Sequence, residues 1–244
     1  MVNAQAVKIR INNNYKLPQE FIYSMSDTTI FILSLSIAST AIIGLARFGK
    51  MDISYHPFVY YACLATLIEV VDYILVEKGM YDAFCLLTNI YSFAEFFLLS
   101  LLFHNWGLFK RKKKVFATII SFFFLLWFVT LFIRGYTKMN YTFFIIMSFI
   151  IIFFSISSFN RMIVDDRKNI FTNAKFWICI GIVIFYTYFI LVNTARLSFF
   201  NTHLTKHFTD SLFSIRIYSN LLVNLLYAIA VIWVPRKKNI MTLF

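Results

Sequence analysis

The stretch VFATIISFFFLLWFVTLFI, residues 115–133, runs for nineteen residues without a charge. At about 1.5 Å per residue, a helix of that length nearly matches the roughly 30 Å hydrocarbon core of a bilayer. A segment crossing lipid alone must satisfy its own backbone hydrogen bonds, which a helix does and a lone strand does not. The run is also continuous, without the period-two alternation of an outer-membrane barrel strand. Basic residues bracket it, with Lys110, Arg111, Lys112, Lys113 and Lys114 before it and Arg134 after it.

Six further runs of the same kind are found on moving outward from this one. The predicted helices cover 28–46, 56–76, 83–103, 115–133, 141–159, 176–196 and 212–234. Pro57 suits a first helical turn and Pro235 suits a stop. Trp106, Trp177 and Trp233 lie near predicted ends, as interfacial tryptophans do, whereas Trp127 lies inside a run. The expected fold is therefore all-α: a polytopic membrane protein with a bundle of seven transmembrane helices.

Composition agrees. Of 244 residues, 60% are hydrophobic and 14% charged, with 31 Phe and 14 Tyr, and mean hydropathy is +0.74. A soluble domain needs a more charged surface. Seven crossings with short loops use up the chain, so three parts are expected. Residues 1–26 form an N-terminal extracytoplasmic segment, 27–235 the transmembrane domain, and 236–244 a short cytoplasmic tail. Lys8, Arg10 and Lys16 are scattered and no short apolar core follows at once, so no cleavable signal is expected. Cys63, Cys85 and Cys179 lie within or at the edge of apolar runs without CxxC pairing, and read as small buried residues. The bias toward Phe, Ile, Asn and Lys fits an AT-rich, bacterial genome.

The net charge of +12 is not a nucleic-acid footprint, because the positive charges sit in loops between spans. One set of loops holds Arg47, Lys50, the 110–114 cluster, Arg161, Arg167, Lys168, Lys175, Arg236, Lys237 and Lys238. The other holds Lys8, Arg10, Lys16, Lys78, Arg134, Lys138, Arg196 and Lys206. The first set carries fourteen basic side chains against eight, and so is expected on the cytoplasmic side of the cell (inner) membrane. This places the N-terminus outside and the C-terminus inside. The 110–114 cluster would contact lipid headgroups or an acidic cytoplasmic protein.

Charge and amide inside the spans mark the candidate site, since each mid-helix charge costs roughly 2.5–3.5 kcal/mol on insertion scales. Thr66, Glu69 and Asp72 share a face of the second span. Asn89, Ser92 and Glu95 do so on the third, and Arg216, Asn220 and Asn224 on the seventh. Tyr188 and Asn193 come from the sixth. If these stripes face inward, they form a polar pocket opening to the outside, with Arg216 pairing with Asp72 or Glu69. Polar side chains also join membrane helices without any ligand, which is the competing reading for the Asn and Ser positions. The Phe-rich fourth and fifth spans, around 122–124 and 150–154, are expected to be peripheral.

No reaction is named by these residues. His203 and His207 have a zinc-compatible spacing but lack a partnering glutamate, so no metal and no cofactor are expected. The seventh span has no Schiff-base lysine, no Gly-x-Ser motif serves an intramembrane protease, and His104 alone cannot form a metal hydrolase centre. No Pro-Gln pair lies in the membrane as in seven-helix sugar transporters.

LIEVVDYIL at 67–75, YSFAEFFLLSLLFHNW at 91–106, FWICIGIVIFY at 176–186 and NLLVNLLYAIAVIW at 220–233 resemble an uncharacterised group of seven-helix membrane proteins of Bacteroidota. The resemblance covers the second, third, sixth and seventh spans. It implies polar positions at Glu69, Glu95 and Asn224, and no activity.

The leading functional expectation is a sensory or signalling module coupled to a separate cytoplasmic partner. Other readings are a membrane subunit or effector acting by assembly, and a small transporter or channel using the carboxylates. The transporter reading is weakened by the scant polarity of the inner halves of the second and third spans. An intramembrane lipid enzyme with paired carboxylates lacks a nucleophile or metal. Expected partners are the lipid bilayer, a cytoplasmic signalling or effector protein, and a second copy of the chain.

Overall fold

A computed structural model of the chain describes residues 27–110, 112–165, 170–197 and 206–236. Regular structure among them is helical: α1 (Asp27–Ser34), α2 (Ile37–Arg47), α3 (His56–Glu77), α4 (Tyr81–Asn105), α5 (Lys113–Arg134), α6 (Tyr141–Asp165), α7 (Ala174–Ala195) and α8 (Lys206–Trp233), with short 3-10 turns between some of them. The described residues hold no strand beyond an isolated bridge between Met51 and Arg236. Seven helical segments are long and apolar enough to cross a membrane.

The first span differs from the single helix expected over 28–46. It breaks at Leu35 and Ser36, between α1 and α2. Three serines account for the break. Ser34, Ser36 and Ser39 donate their hydroxyls to the carbonyls of Phe31 (2.9 Å), Leu33 (2.7 Å) and Ser36 (2.7 Å). Each bond reaches back three residues and offers the backbone an alternative to the regular ladder, which bends helices.

The helices close into a ring. α2 packs on α3, α3 on α4, α4 on α6, α6 on α7, α7 on α8, and α8 returns to α1 and α2. α5 lies against α4 and α6 on the outside of this ring, and Phe123 is its buried residue. The expected peripheral placement therefore holds for α5. It fails for α6, whose Phe143, Met147, Ile151 and Phe154 are buried together with Ser148 and Ser155. The sequence signal for this is slight: Ser148 and Ser155, seven residues apart, share the inward face of a helix that is otherwise apolar over most of its length.

The loops rich in Lys and Arg gather at one end of the ring. The Arg47 guanidinium donates to the carbonyls of Val231 (2.7 Å), Ile232 and Val234 (3.3 Å). These carbonyls lie in the last turn of α8 and just past its end, where backbone donors run out and a cation complements the helix dipole. Asp52 N–H donates to Pro235 O at 3.0 Å, fixing the same corner. Tyr55 packs edge-on against Trp106, Lys175 lies over the Trp106 ring, and Arg161 donates to Gly107 O. Gly107 has a φ of +90°, a conformation open to glycine and strained for other residues. At this end Asp52 accepts the Ser54 N–H at 2.8 Å. Hydrogen bonds from Ser54 hold the Asp52 carboxyl below the usual carboxylate range.

Candidate functional site

Glu95 lies near the middle of α4 and is 5% exposed. The Tyr186 hydroxyl, from α7, donates to Glu95 Oε1 at 2.7 Å. Tyr61 of α3 stands within hydrogen-bonding reach of the same carboxyl. Tyr91 of α4 and Tyr227 of α8 lie close enough to feel its charge. All four tyrosines are buried. Glu95 is thus a node at which α3, α4, α7 and α8 meet. Tyr227 also packs edge-on against Phe58 and Tyr61, and its hydroxyl is buried with no hydrogen-bond partner. Gly181 admits this ring, since a Cβ there would collide with it. Small residues let helices approach in this way.

Arg216 is buried on α8, and Phe189 lies beneath its guanidinium at 5.3 Å. The charges that act on it are those of Glu95 and Arg196, and its Nη1 is buried without a partner. The expected pair with Asp72 is not formed, because both Asp72 oxygens are buried with no hydrogen-bond partner. Equal depth on two helices does not make a pair: α8 meets α3 through Tyr227, which packs on Phe58 and Tyr61, whereas the ring beneath the Arg216 guanidinium is Phe189 of α7.

Asp72 faces α4, where Thr88 and Cys85 lie near it. Glu69 is buried one turn earlier on α3. The Arg216, Asp72, Glu69 and Glu95 positions are all buried.

The amides divide differently. Asn89 is a loop clamp. Its Nδ2 donates to Lys138 O at 2.9 Å, and its Oδ1 accepts Asn140 N–H at 3.0 Å. Its carbonyl accepts Trp127 Nε1 at 2.8 Å, which explains the one tryptophan lying inside a run. Asn140 continues the clamp to Thr130 Oγ1 at 2.7 Å. Asn224 holds the broken first span: its Nδ2 donates to Ser36 Oγ at 2.7 Å, and its carbonyl accepts Thr40 Oγ1 at 3.3 Å. Asn193 is buried and donates to Phe189 O at 2.7 Å within α7. Asn220 and Tyr188 are half-buried, outside the Glu95 node. Lys110, Lys112, Lys113 and Lys114 are exposed at the basic end. Arg111 and His203 lie outside the described residues, as does the side chain of His207.

Sequence reading takes Tyr188 as its one polar tyrosine and passes over Tyr61, Tyr91, Tyr186 and Tyr227, whose aromatic rings blend into the apolar runs. A polar reading was available, since a buried phenolic hydroxyl usually seeks a partner.

No protein-family model, no curated protein and no solved structure matches the chain.

Proposed function

We propose that the chain is a membrane-embedded sensory or signalling module, oriented with its N-terminus outside and its basic end in the cytoplasm. A small polar ligand would enter from the outer half, toward Asp72 and Arg216. The Glu95 node would relay its presence to a separate cytoplasmic partner at the 110–114 cluster. The observation that carries this reading is the Tyr186–Glu95 bond within a node drawn from four helices. A change at one carboxyl there bears on α3, α4, α7 and α8 together, and α3, α4 and α7 each begin or end at the basic end. Buried polar groups in lipid that join several elements are high-stakes contacts, because losing one partner strands the others.

The transporter reading gains support from Tyr61, Tyr91, Tyr186 and Tyr227, which gather buried phenols around the Glu95 carboxyl. The two readings part in one experiment on the full chain in proteoliposomes. An acid pulse to the outer face is followed with an entrapped pH dye, and with a maleimide probe on a single cysteine at position 112. A module that signals changes labelling at 112 without dye response, and Glu95→Gln abolishes the change. Steady dye acidification in wild type but not in Glu95→Gln would overturn signalling in favour of transport. Orientation is tested in whole cells by the same cysteine, and labelling by an impermeant maleimide from outside would reverse the topology.

A further inference from the structure

Three buried oxygens on facing helices have no partner: Asp72 Oδ1, Asp72 Oδ2 and Thr88 Oγ1. Asp72 is 2% exposed and Thr88 4%. The two side chains approach to the edge of hydrogen-bonding range, yet none of the three oxygens has a partner with hydrogen-bond geometry as they stand. One orphaned oxygen in a buried site is uncommon, and three at one contact call for a missing partner.

The surroundings supply no counter-charge among the described residues. On α3 the titratable neighbours are Glu69 and Tyr73, and Lys78 is exposed beyond the helix end. On α4 they are Asp82, Cys85 and Tyr91. From Phe31 to Ala46, α1 and α2 carry no titratable side chain, and Phe31 covers Tyr73 by stacking. The charges acting on Arg216 come from Glu95 and Arg196. A lone carboxylate in such a place is strongly disfavoured, and a group so placed takes up a proton instead.

We infer that Asp72 and Thr88 form a proton-binding site, in which Asp72 is the neutral acid and donates its O–H to Thr88 Oγ1. One proton then accounts for two of the orphaned groups at once. The carboxyl becomes a donor, and the Thr88 oxygen becomes its acceptor. On release the proton leaves the Oδ–H bond for solvent, and Asp72 remains as a carboxylate facing acidic and neutral groups. A metal cation fits less well, since hard cations collect about six oxygens and this contact offers three. The inference rests on the orphaned oxygens and is independent of whether the module signals or transports.

The test is infrared difference spectroscopy on the full chain in lipid nanodiscs, with pH stepped in choline buffer, in both light and heavy water. The expected result is a deuteration-sensitive carbonyl band of a neutral carboxylic acid that disappears as pH rises. It should be present in wild type and Glu95→Gln, absent from Asp72→Asn, and shifted in Thr88→Val. A band equally strong in wild type and Asp72→Asn would overturn the assignment. So would its removal at constant pH by added sodium, which would make the site a metal site. Should Asp72→Asn not fold, Thr88→Val decides alone, because it keeps volume and charge. A band that Thr88→Val leaves unmoved would overturn the assignment.

Discussion

Tyr186 donates its hydroxyl to Glu95 across the centre of the helical ring, at 2.7 Å and with both side chains buried. Tyr188, two residues further along α7, is half-buried on another face. The two tyrosines therefore separate a packing requirement from mere polarity. Tyr186→Phe takes from a buried carboxyl its Tyr186 donor and should cost about 1.5–3 kcal/mol, as hydrogen bonds to charged groups do. Tyr188→Phe should stay within about 0.5 kcal/mol. Thermal unfolding of both variants in the same detergent checks the ranking, and equal losses would remove Glu95 as a node.

Asn89 should behave as a loop clamp. Asn89→Leu strands the Asn140 amide and the Lys138 carbonyl at once, and each buried orphan costs about 1–3 kcal/mol. The loss should be local. Hydrogen exchange should accelerate at Asn140 and through residues 135–140 while the middle of α7 keeps its protection. Uniform acceleration would mean that Asn89 supports the whole bundle.

The outward Phe residues of α5 should be replaceable. Phe122, Phe124, Phe128 and Phe132 are exposed, so their change to Leu should move stability by about 0.5 kcal/mol or less. Phe143 and Phe154 on α6 are buried, and Phe143→Ala should cost about 3 kcal/mol, because the cavity term survives in lipid even where the transfer term shrinks. Expression level and thermal midpoint in nanodiscs measure both.

Asp52 gives a pH dependence with a definite sign. Its carboxyl is held below the ordinary range by Ser54, so the folded state favours the ionised form. The contribution is present above the unfolded carboxylate value and is lost as pH falls through the lower, folded value. Asp52→Asn should lose this contribution near neutrality and flatten the acid limb of a stability–pH profile, with the difference from wild type closing as pH falls through the folded value. An unchanged acid limb would assign the acid sensitivity to other carboxyls.

Much of this architecture was legible before any coordinates. Seven runs such as 115–133 state their own length and secondary structure, because lipid admits few alternatives. The contribution of each helix to the ring was harder to read. In α6 the serines at 148 and 155, seven residues apart, lie on the buried face, whereas α5 has a single buried residue. Spacing on a single helix grouped Glu69 with Asp72, and Arg216 with Asn220 and Asn224, but it carries no information on which helices adjoin. Of the two carboxylates expected to pair with Arg216, Asp72 does not. The tyrosines were missed for a chemical reason: a phenol is both ring and hydroxyl, and hydropathy sees the ring. Ser34, Ser36 and Ser39 were legible as helix-bending residues in principle, since their hydroxyls reach the backbone within one turn.

The position of Arg216 leads to a double-mutant test whose outcome differs for the two carboxylates. Glu95 acts on the guanidinium and Asp72 does not figure among the charges that do. Residues in one electrostatic network couple by about 0.5–3 kcal/mol, whereas separated ones add within about 0.3–0.5 kcal/mol. Arg216→Met with Glu95→Gln should therefore be non-additive. Removing the arginine alone leaves Glu95 less compensated, and neutralising Glu95 as well relieves part of that loss. Arg216→Met with Asp72→Asn should be additive, because the acid at Asp72 answers to Thr88 on α4. The readout is the thermal unfolding free energy of the four members of each cycle in one nanodisc lipid. Coupling to Asp72 but not to Glu95 would restore the pairing that depth alone suggests.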